Sequence, residues 1–373
     1  MNVNILRQID KYLIWFLILL SFGIKYLFIG YKNRITKNPK RILIIRMWAL
    51  GSSLLTFPMI KQLEEYFWPW VEYNLLASTR NIGVFKNQGY FKKRYNLFSI
   101  KDLLKLLLSF KRYDIVIDTE DYFMISAFIS MRLWKINVWY KNIKVRWLAY
   151  NSWIMYNDKQ HATLTFIDLA KKVWVQWEVP ENLERLKYTE NDKTKVDEFL
   201  KWIEYTQLIC MHTWWAETAK ERAWPQDKRV ELIQKVIDKN DRVKIILSWT
   251  KGESKYVQEL ISKVPQEYHQ KVINICWMFN IFEFGYLLER CDLMVSNDTG
   301  PMHLSAAMWT KTIWLFGPEI PRKFGPYPLT KNIWLYKGRW ESYIKVHLWK
   351  WEKDTEYSIN KIEVDDVFNC IEL

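Results

Sequence analysis

Glycine is scarce in this chain: 11 of 373 residues, where average composition supplies about 7%, or roughly 26. The shortage excludes a fibrous or glycine-rich architecture, and as written it leaves few places for a backbone cradle around a ligand. Cysteine is also sparse. The four thiols, Cys210, Cys276, Cys291 and Cys370, have no CxxC spacing, which argues against a disulfide framework or a zinc site and suits a reducing cytoplasm. Long apolar runs are limited to residues 13–30, broken by Lys25 and a few small or polar positions, a segment that barely reaches spanning length.

Hydrophobic residues make up 50% of the chain, enough to bury a sizeable core in two domains of ordinary size. The net charge of +14 implies attraction to anions: nucleotide sugars, anionic lipids or nucleic acid. Tryptophan is in excess, at 22 residues against 11 glycines. Trp48, Trp214, Trp215, Trp249 and Trp309 sit where chain reversals or phosphate loops call for glycine, a residue that alone takes positive φ without cost. Some bacterial genetic codes read UGA as glycine where others read tryptophan, and a gene translated with the wrong table would carry this pattern. The alternative is a tryptophan-rich protein that uses indoles for membrane-interface anchoring or sugar stacking. Trp224, before Pro225, is read as a true tryptophan.

No small-residue cleavage site follows the apolar run, and Lys32, Arg34, Lys37, Lys40 and Arg41 come next. Residues 1–40 therefore read as a membrane anchor with its basic flank, rather than a signal peptide. Spanning and in-plane placements both remain open, as does a buried core helix.

From residue 41 short apolar strands alternate with amphipathic stretches, the pattern of parallel sheets covered by helices. Strands are predicted at 41–46, 71–77 and 114–118, with helices at 54–66 and from 126 onward. A charged stretch at 181–198 reads as a linker. The pattern resumes with strands at 207–211, 243–248, 272–276, 293–296 and 312–316. The fold class expected is α/β: two Rossmann-like domains, 41–190 and 191–373, facing each other across a cleft. Residues 359–373 are expected to form a closing helix.

One stretch carries the most chemical information. The strand at 293–296 leads into Asn297-Asp298-Thr299-Gly300-Pro301-Met302-His303, a small polar turn and a helix start. Thr299 or Asp298 can cap that helix, Pro301 suits its first turn, and its leading N–H groups form an anion site. After the strand at 207–211, His212-Thr213-Trp214-Trp215-Ala216 would cradle a diphosphate if 214 and 215 were glycine, and would block one as tryptophan. Thr213 can donate a hydroxyl; Lys220 and Arg222 can neutralise phosphate charge, or form a solvated helix approach. His303 lies one turn into its helix, either reaching the ligand or packed. Glu253 is a further acceptor for a ribose or base.

The motif at 297–303, followed by Leu315-Phe316-Gly317-Pro318, resembles the C-terminal signature of glycosyltransferase family 9, the ADP-heptose:lipopolysaccharide heptosyltransferases. The loop Met47-Trp48-Ala49-Leu50-Gly51-Ser52-Ser53 is similar to the family's N-terminal signature. The resemblance covers roughly residues 41–326. It implies a GT-B fold, a metal-independent inverting transfer without cofactor, an ADP-linked sugar donor and a lipopolysaccharide or other membrane glycolipid acceptor. It also implies work at the cytoplasmic face of the inner membrane. On this reading Arg222, the basic residue before Trp224-Pro225, holds the donor diphosphate together with Asp298, Thr299 and Gly300, while Gly51 and Ser52 lie on the acceptor side.

Transfer to a hydroxyl needs a base for the acceptor proton and stabilisation of the departing diphosphate. Many members of the family carry Asp after the second glycine of the first loop; this chain has Ser52, a poor base. Glu120 or Asp121, at the end of the strand predicted at 114–118, is the substitute proposed from sequence, against the plainer role of a helix cap. Loss of catalysis is the rival reading: a membrane-associated nucleotide-sugar-binding or assembly protein with the same fold. A nucleotide-sugar epimerase has no positive signal. Nucleic-acid binding is disfavoured because the basic residues are dispersed.

Overall fold

The computed structural model describes residue 10 and residues 16–19, 38–67, 69–108, 112–121, 123–141, 146–157, 159–173, 175–212, 221–248, 254–329, 332–339, 344–345, 350–351, 356 and 358–372. Two compact units emerge, Met1–Pro180 with Lys345–Trp351, and Glu181–Ile344 with Glu352–Leu373.

The first unit is built on β1 (Arg41–Ile45), β2 (Glu72–Ala77), β3 (Lys93–Asn96), β4 (Tyr113–Asp118), β5 (Trp134–Lys141) and β6 (Ser152–Met155). They lie in the order β3-β2-β1-β4-β5-β6, every neighbour parallel. The second unit has β7 (Gln207–His212), β8 (Val243–Ser248), β9 (Val272–Asn274), β10 (Leu293–Asn297), β11 (Thr312–Phe316) and β12 (Ile333–Tyr336). Counted from its other edge, that sheet runs β9-β8-β7-β10-β11-β12, again all parallel. The two units thus repeat one strand order. Central strands such as β10 are buried along their whole length, as parallel strands covered on both faces must be.

In the second unit Ile209, Leu232, Val236, Ile245, Val295 and Leu315 make the core, joined by Ile359, Ile362 and Val367 from the chain end. That end forms only the short helix Val364–Phe368. The first core gathers Leu43, Ile45, Leu76, Val116, Ile129 and Leu133.

Several expectations change. The helix expected at 54–66 is two, Leu50–Leu54 and Phe57–Phe67. Pro58 has no N–H to bond the carbonyl of residue 54, so the helix cannot run through. Thr56 Oγ1 donates instead to Ser53 O at 2.6 Å. Strands β3, β5, β6 and β12 lay outside the sequence reading. The stretch read as a linker holds the helix Glu190–Leu200, started by a capping box between Thr189 and Asp192.

Most of residues 13–30 lie outside the described residues. Of that run, residues 16–19 are helical and Ile18 is fully buried. The Asp10 carboxylate accepts from Met124 N at 2.9 Å and Ile125 N at 2.7 Å, capping the helix Met124–Leu133 from a distant part of the chain. Burial pushes the Asp10 carboxyl up. Among the described residues no helix is long and apolar enough to cross a membrane.

Candidate functional site: two switch points

In open parallel sheets of this order, ligands bind beyond the carboxyl ends of the strands where the order reverses. The first unit reverses between β1 and β4, the second between β7 and β10. The candidate residues that fall within the described regions lie at or directly beside these two points.

At the first point β1 ends in Arg46-Met47-Trp48 and β4 ends in Asp118-Thr119-Glu120. Glu120 Oε1 accepts from Met47 N at 2.6 Å and Trp48 N at 3.2 Å. Its own carbonyl accepts from Trp139 Nε1 at 2.6 Å. Arg46 Nη1 lies 3.8 Å from Glu120 Oε1 and donates to Thr119 O at 3.0 Å. Glu120 is 3% exposed, and burial pushes its pKa up to about 6 despite Arg46. The carboxylate proposed as a base therefore clamps the first loop. Asp121, the next residue, is half-buried and closer to solvent.

Beneath this edge Arg146 Nη2 donates to Asp118 Oδ2 at 2.8 Å and to Ser126 Oγ at 2.7 Å. Tyr150 donates to the same Asp118 oxygen, and the Arg146 guanidinium stacks 4.0 Å from the Trp139 ring. Both charges are fully buried. Burial of such a pair costs desolvation that the Nη2 hydrogen bonds, the mutual attraction and the stacked indole offset, while Nε and Nη1 of Arg146 are buried without a hydrogen bond.

The loop itself bends at Ala49, φ 61° and ψ 132°, rather than at Gly51, which is buried inside the helix Leu50–Leu54. Asn81 ties it down, donating to Arg46 O at 2.8 Å and Ser53 Oγ at 2.9 Å. Ser52 is partly exposed.

At the second point Arg222 Nη1 lies 3.2 Å from Asp298 Oδ2 and 3.3 Å from Asp298 O. Burial pushes the Asp298 carboxyl up, with Arg222 opposing. Thr299 takes the N-cap position of the helix Gly300–Met308, but its side chain makes no cap hydrogen bond. It reaches back to Asn297 O instead, at 3.4 Å, so neither capping expectation holds. Pro301 does stand in the first turn. His303 is packed, 6% exposed with its ring edge on Trp314 at 5.7 Å; of its two expected roles, the structure favours the packed one. Trp224 is buried and donates to Ile362 O at 3.0 Å.

Thr213, Trp214, Trp215, Lys220 and Glu253 lie outside the described residues. Just before them, His212 Nδ1 lies 3.0 Å from Ser248 Oγ. Burial, with the Arg229 charge nearby, pushes His212 down to about 3. Arg229 donates to Asn297 Oδ1 and Trp224 O, each at 3.1 Å. Burial lowers it to about 10.

Two features escaped the sequence reading. Arg229 gave no local signal beyond its place on an amphipathic helix. Gly317 was quoted in a motif without a role, and the structure supplies one: a Cβ there would stand 2.7 Å from Glu221 O and 3.4 Å from Arg222 Cα. Absence of a side chain at 317 lets the backbone carrying Arg222 pack against the end of β11.

Comparison with known proteins agrees with this geometry. The model of "Glycosyltransferase family 9 (heptosyltransferase)" matches residues 103–347. Lipopolysaccharide heptosyltransferase 1 of Campylobacter coli is 26% identical over 355 residues, 89% of this chain and 98% of the relative. Among solved structures, the family 9 glycosyltransferase of Veillonella parvula superposes with a TM-score of 0.75 at 17% identity, covering 88% of this chain and 95% of that one. The E. coli ADP-heptose lps heptosyltransferase II gives 0.69 at 17% identity, covering 88% and 96%. The α/β fold with two parallel six-stranded sheets is that of these GT-B heptosyltransferases. With the family model matching well over half of its length, this chain belongs to glycosyltransferase family 9 and is a glycosyltransferase.

Proposed function

We propose that the protein transfers a heptose-like sugar from a nucleoside-diphosphate donor, ADP-linked, to a lipopolysaccharide or other membrane glycolipid acceptor, with inversion and without a metal. The names of the relatives, a lipopolysaccharide heptosyltransferase and an ADP-heptose heptosyltransferase, support the substrate class. The observation that carries the reading is Arg222 held beside Asp298 at the second switch point. A guanidinium at a helix N-terminus can take up the charge that develops on a departing diphosphate.

In this reading residues 191–373 form the donor domain, with Arg222, Asp298, Thr299 and Gly300 at the diphosphate. Thr213, Trp214, Trp215, Lys220 and Glu253 complete the donor side by their place in the sequence, and His303 supports it from within the helix. Residues 41–190 form the acceptor domain, where Gly51 and Ser52 face the acceptor. Asp121 removes the acceptor proton, and Glu120 holds the loop that presents it. Residues 1–40 bring the enzyme to the cytoplasmic face of the inner membrane.

Ser52, in place of the family's usual aspartate, supports the second reading, a nucleotide-sugar-binding protein without turnover. Incubation with ADP-heptose and a heptose-free lipid acceptor, followed by mass analysis of the lipid, separates the two. A heptosylated product whose yield collapses in Asp121→Asn supports transfer with Asp121 as base. Donor binding without product supports the non-catalytic reading.

A further inference from the structure

Three non-glycine residues among those described have positive φ: Ala49, Trp277 at 73° and Trp309 at 66°. Two tryptophans in that short list is unexpected, because a bulky L residue rarely enters the left-handed region, where Asn, Asp and His lead after glycine. Trp309 ends the helix Gly300–Met308. Its N–H donates to Ala306 O at 3.2 Å and the next N–H, of Thr310, to Ser305 O at 3.1 Å. That pair of bonds is the Schellman closure, whose left-handed residue is usually glycine. Trp277 occupies the turn that follows β9. Both indoles lie at the surface, 56% and 46% exposed. Trp309 reaches Leu183 O at 3.2 Å and the Arg185 guanidinium at 4.1 Å.

Other tryptophans behave differently. Trp139 is fully buried in β5 and donates to Glu120 O; Trp224 is 1% exposed and donates to Ile362 O. A buried indole with its N–H satisfied is what the side chain is suited for. Backbone conformation and burial thus separate Trp277 and Trp309 from Trp139 and Trp224.

We propose that Trp277 and Trp309 are glycine in the protein as its own cell makes it, decoded from UGA, whereas Trp139 and Trp224 are tryptophan. The composition is explained by the same step, since moving residues from the 22 tryptophans to the 11 glycines brings both counts toward ordinary values. It bears on function through Trp48. That residue lies in the first-switch-point loop with its ring under the Arg80 guanidinium at 4.7 Å, and glycine there would uncover the loop.

The test is tandem mass spectrometry of the protein isolated from its native cells, read on the tryptic peptides 272–290, 291–311, 136–141 and 223–228. Glycine is expected at 277 and 309, and tryptophan at 139 and 224. Tryptophan at 277 or 309, or a UGG codon at either, overturns the proposal. Glycine at 139 or 224 overturns the structural criterion that separates the groups. Neither result depends on the donor or acceptor, so a failure here leaves the proposed transferase activity standing.

Discussion

The two switch points share one strand order and use charge in opposite senses. At the end of β4, the buried carboxylates of Asp118 and Glu120 are held by Arg146 and Arg46. Around the ends of β7 and β10 the buried groups His212 and Arg229 are bonded to neutral Ser248, Asn297 and a carbonyl, and the one buried carboxylate described there, Asp298, is paired with the partly exposed Arg222. The first arrangement stiffens a loop and keeps acids close to it. The second leaves positive charge where an anionic leaving group would be received. On the proposed reading, a repeated scaffold serves proton removal in one unit and charge neutralisation in the other, because side chains at strand ends vary without disturbing the sheet.

The largest test of this contrast is Arg146→Met. It leaves the Asp118 carboxylate buried without its cation, and should cost about 3–5 kcal/mol of stability in urea unfolding. Adding Asp118→Asn should recover part of the loss. A silent single mutant would mean that the network does not brace the first edge. Arg222→Ala comes next. It should lower kcat/KM for the donor by about 30–150-fold, the worth of roughly 2–3 kcal/mol for a charge-assisted contact. Stability should fall by less than in Arg146→Met, since Arg222 is 28% exposed and the Asp298 carboxyl it leaves behind is already pushed up by burial and can take up a proton. Equal loss of stability and activity would place Arg222 in the scaffold rather than the site.

The pH dependence sharpens the comparison, because the two edges should respond with opposite signs. Glu120 is raised from 4.5 to about 6. Its contribution is present below pH 4.5 and is lost as pH rises through 6, about 2 kcal/mol in all. Glu120→Gln should therefore gain on the unmodified protein across that interval. His212 is lowered from 6.5 to about 3, so its contribution is present above pH 6.5 and fades as pH falls toward 3. His212→Asn should gain in that acid range. Denaturant melts at stepped pH report both slopes; slopes of one sign would remove the contrast. The smallest effect is at Ala49, whose φ of 61° a glycine accepts without strain. Ala49→Gly should stabilise the first unit by about 1 kcal/mol, seen as a raised thermal midpoint.

Much of the second unit was legible from local pattern. Strands β8 and β11 fall on the predicted residues 243–248 and 312–316, because runs of Val, Ile and Leu bounded by polar turns are short-range signals. Strand β3, Lys-Arg-Tyr-Asn, carries no such run, and β5 follows the helix Met124–Leu133 without a turn residue between them. The first loop shows the limit for the site. Its likeness to a family signature was visible, but Trp48 was read as the position calling for glycine and Ala49 is the one with positive φ. Glu120 was singled out as a base from its place at a strand end. Its hydrogen bonds to Met47 N and Trp48 N join residues 73 and 72 positions apart, beyond any local pattern.

The sequence by itself determined the alternation of strands and helices, the motif from Asn297 to His303 and the family, since each is written in a few adjacent residues. The tertiary structure decided what the charged groups do. Arg146 meets Asp118 across 28 residues and Arg229 meets Asn297 across 68. Whether a carboxylate titrates near 6 or a histidine near 3 depends on the water removed and the charges brought close when distant strand ends converge.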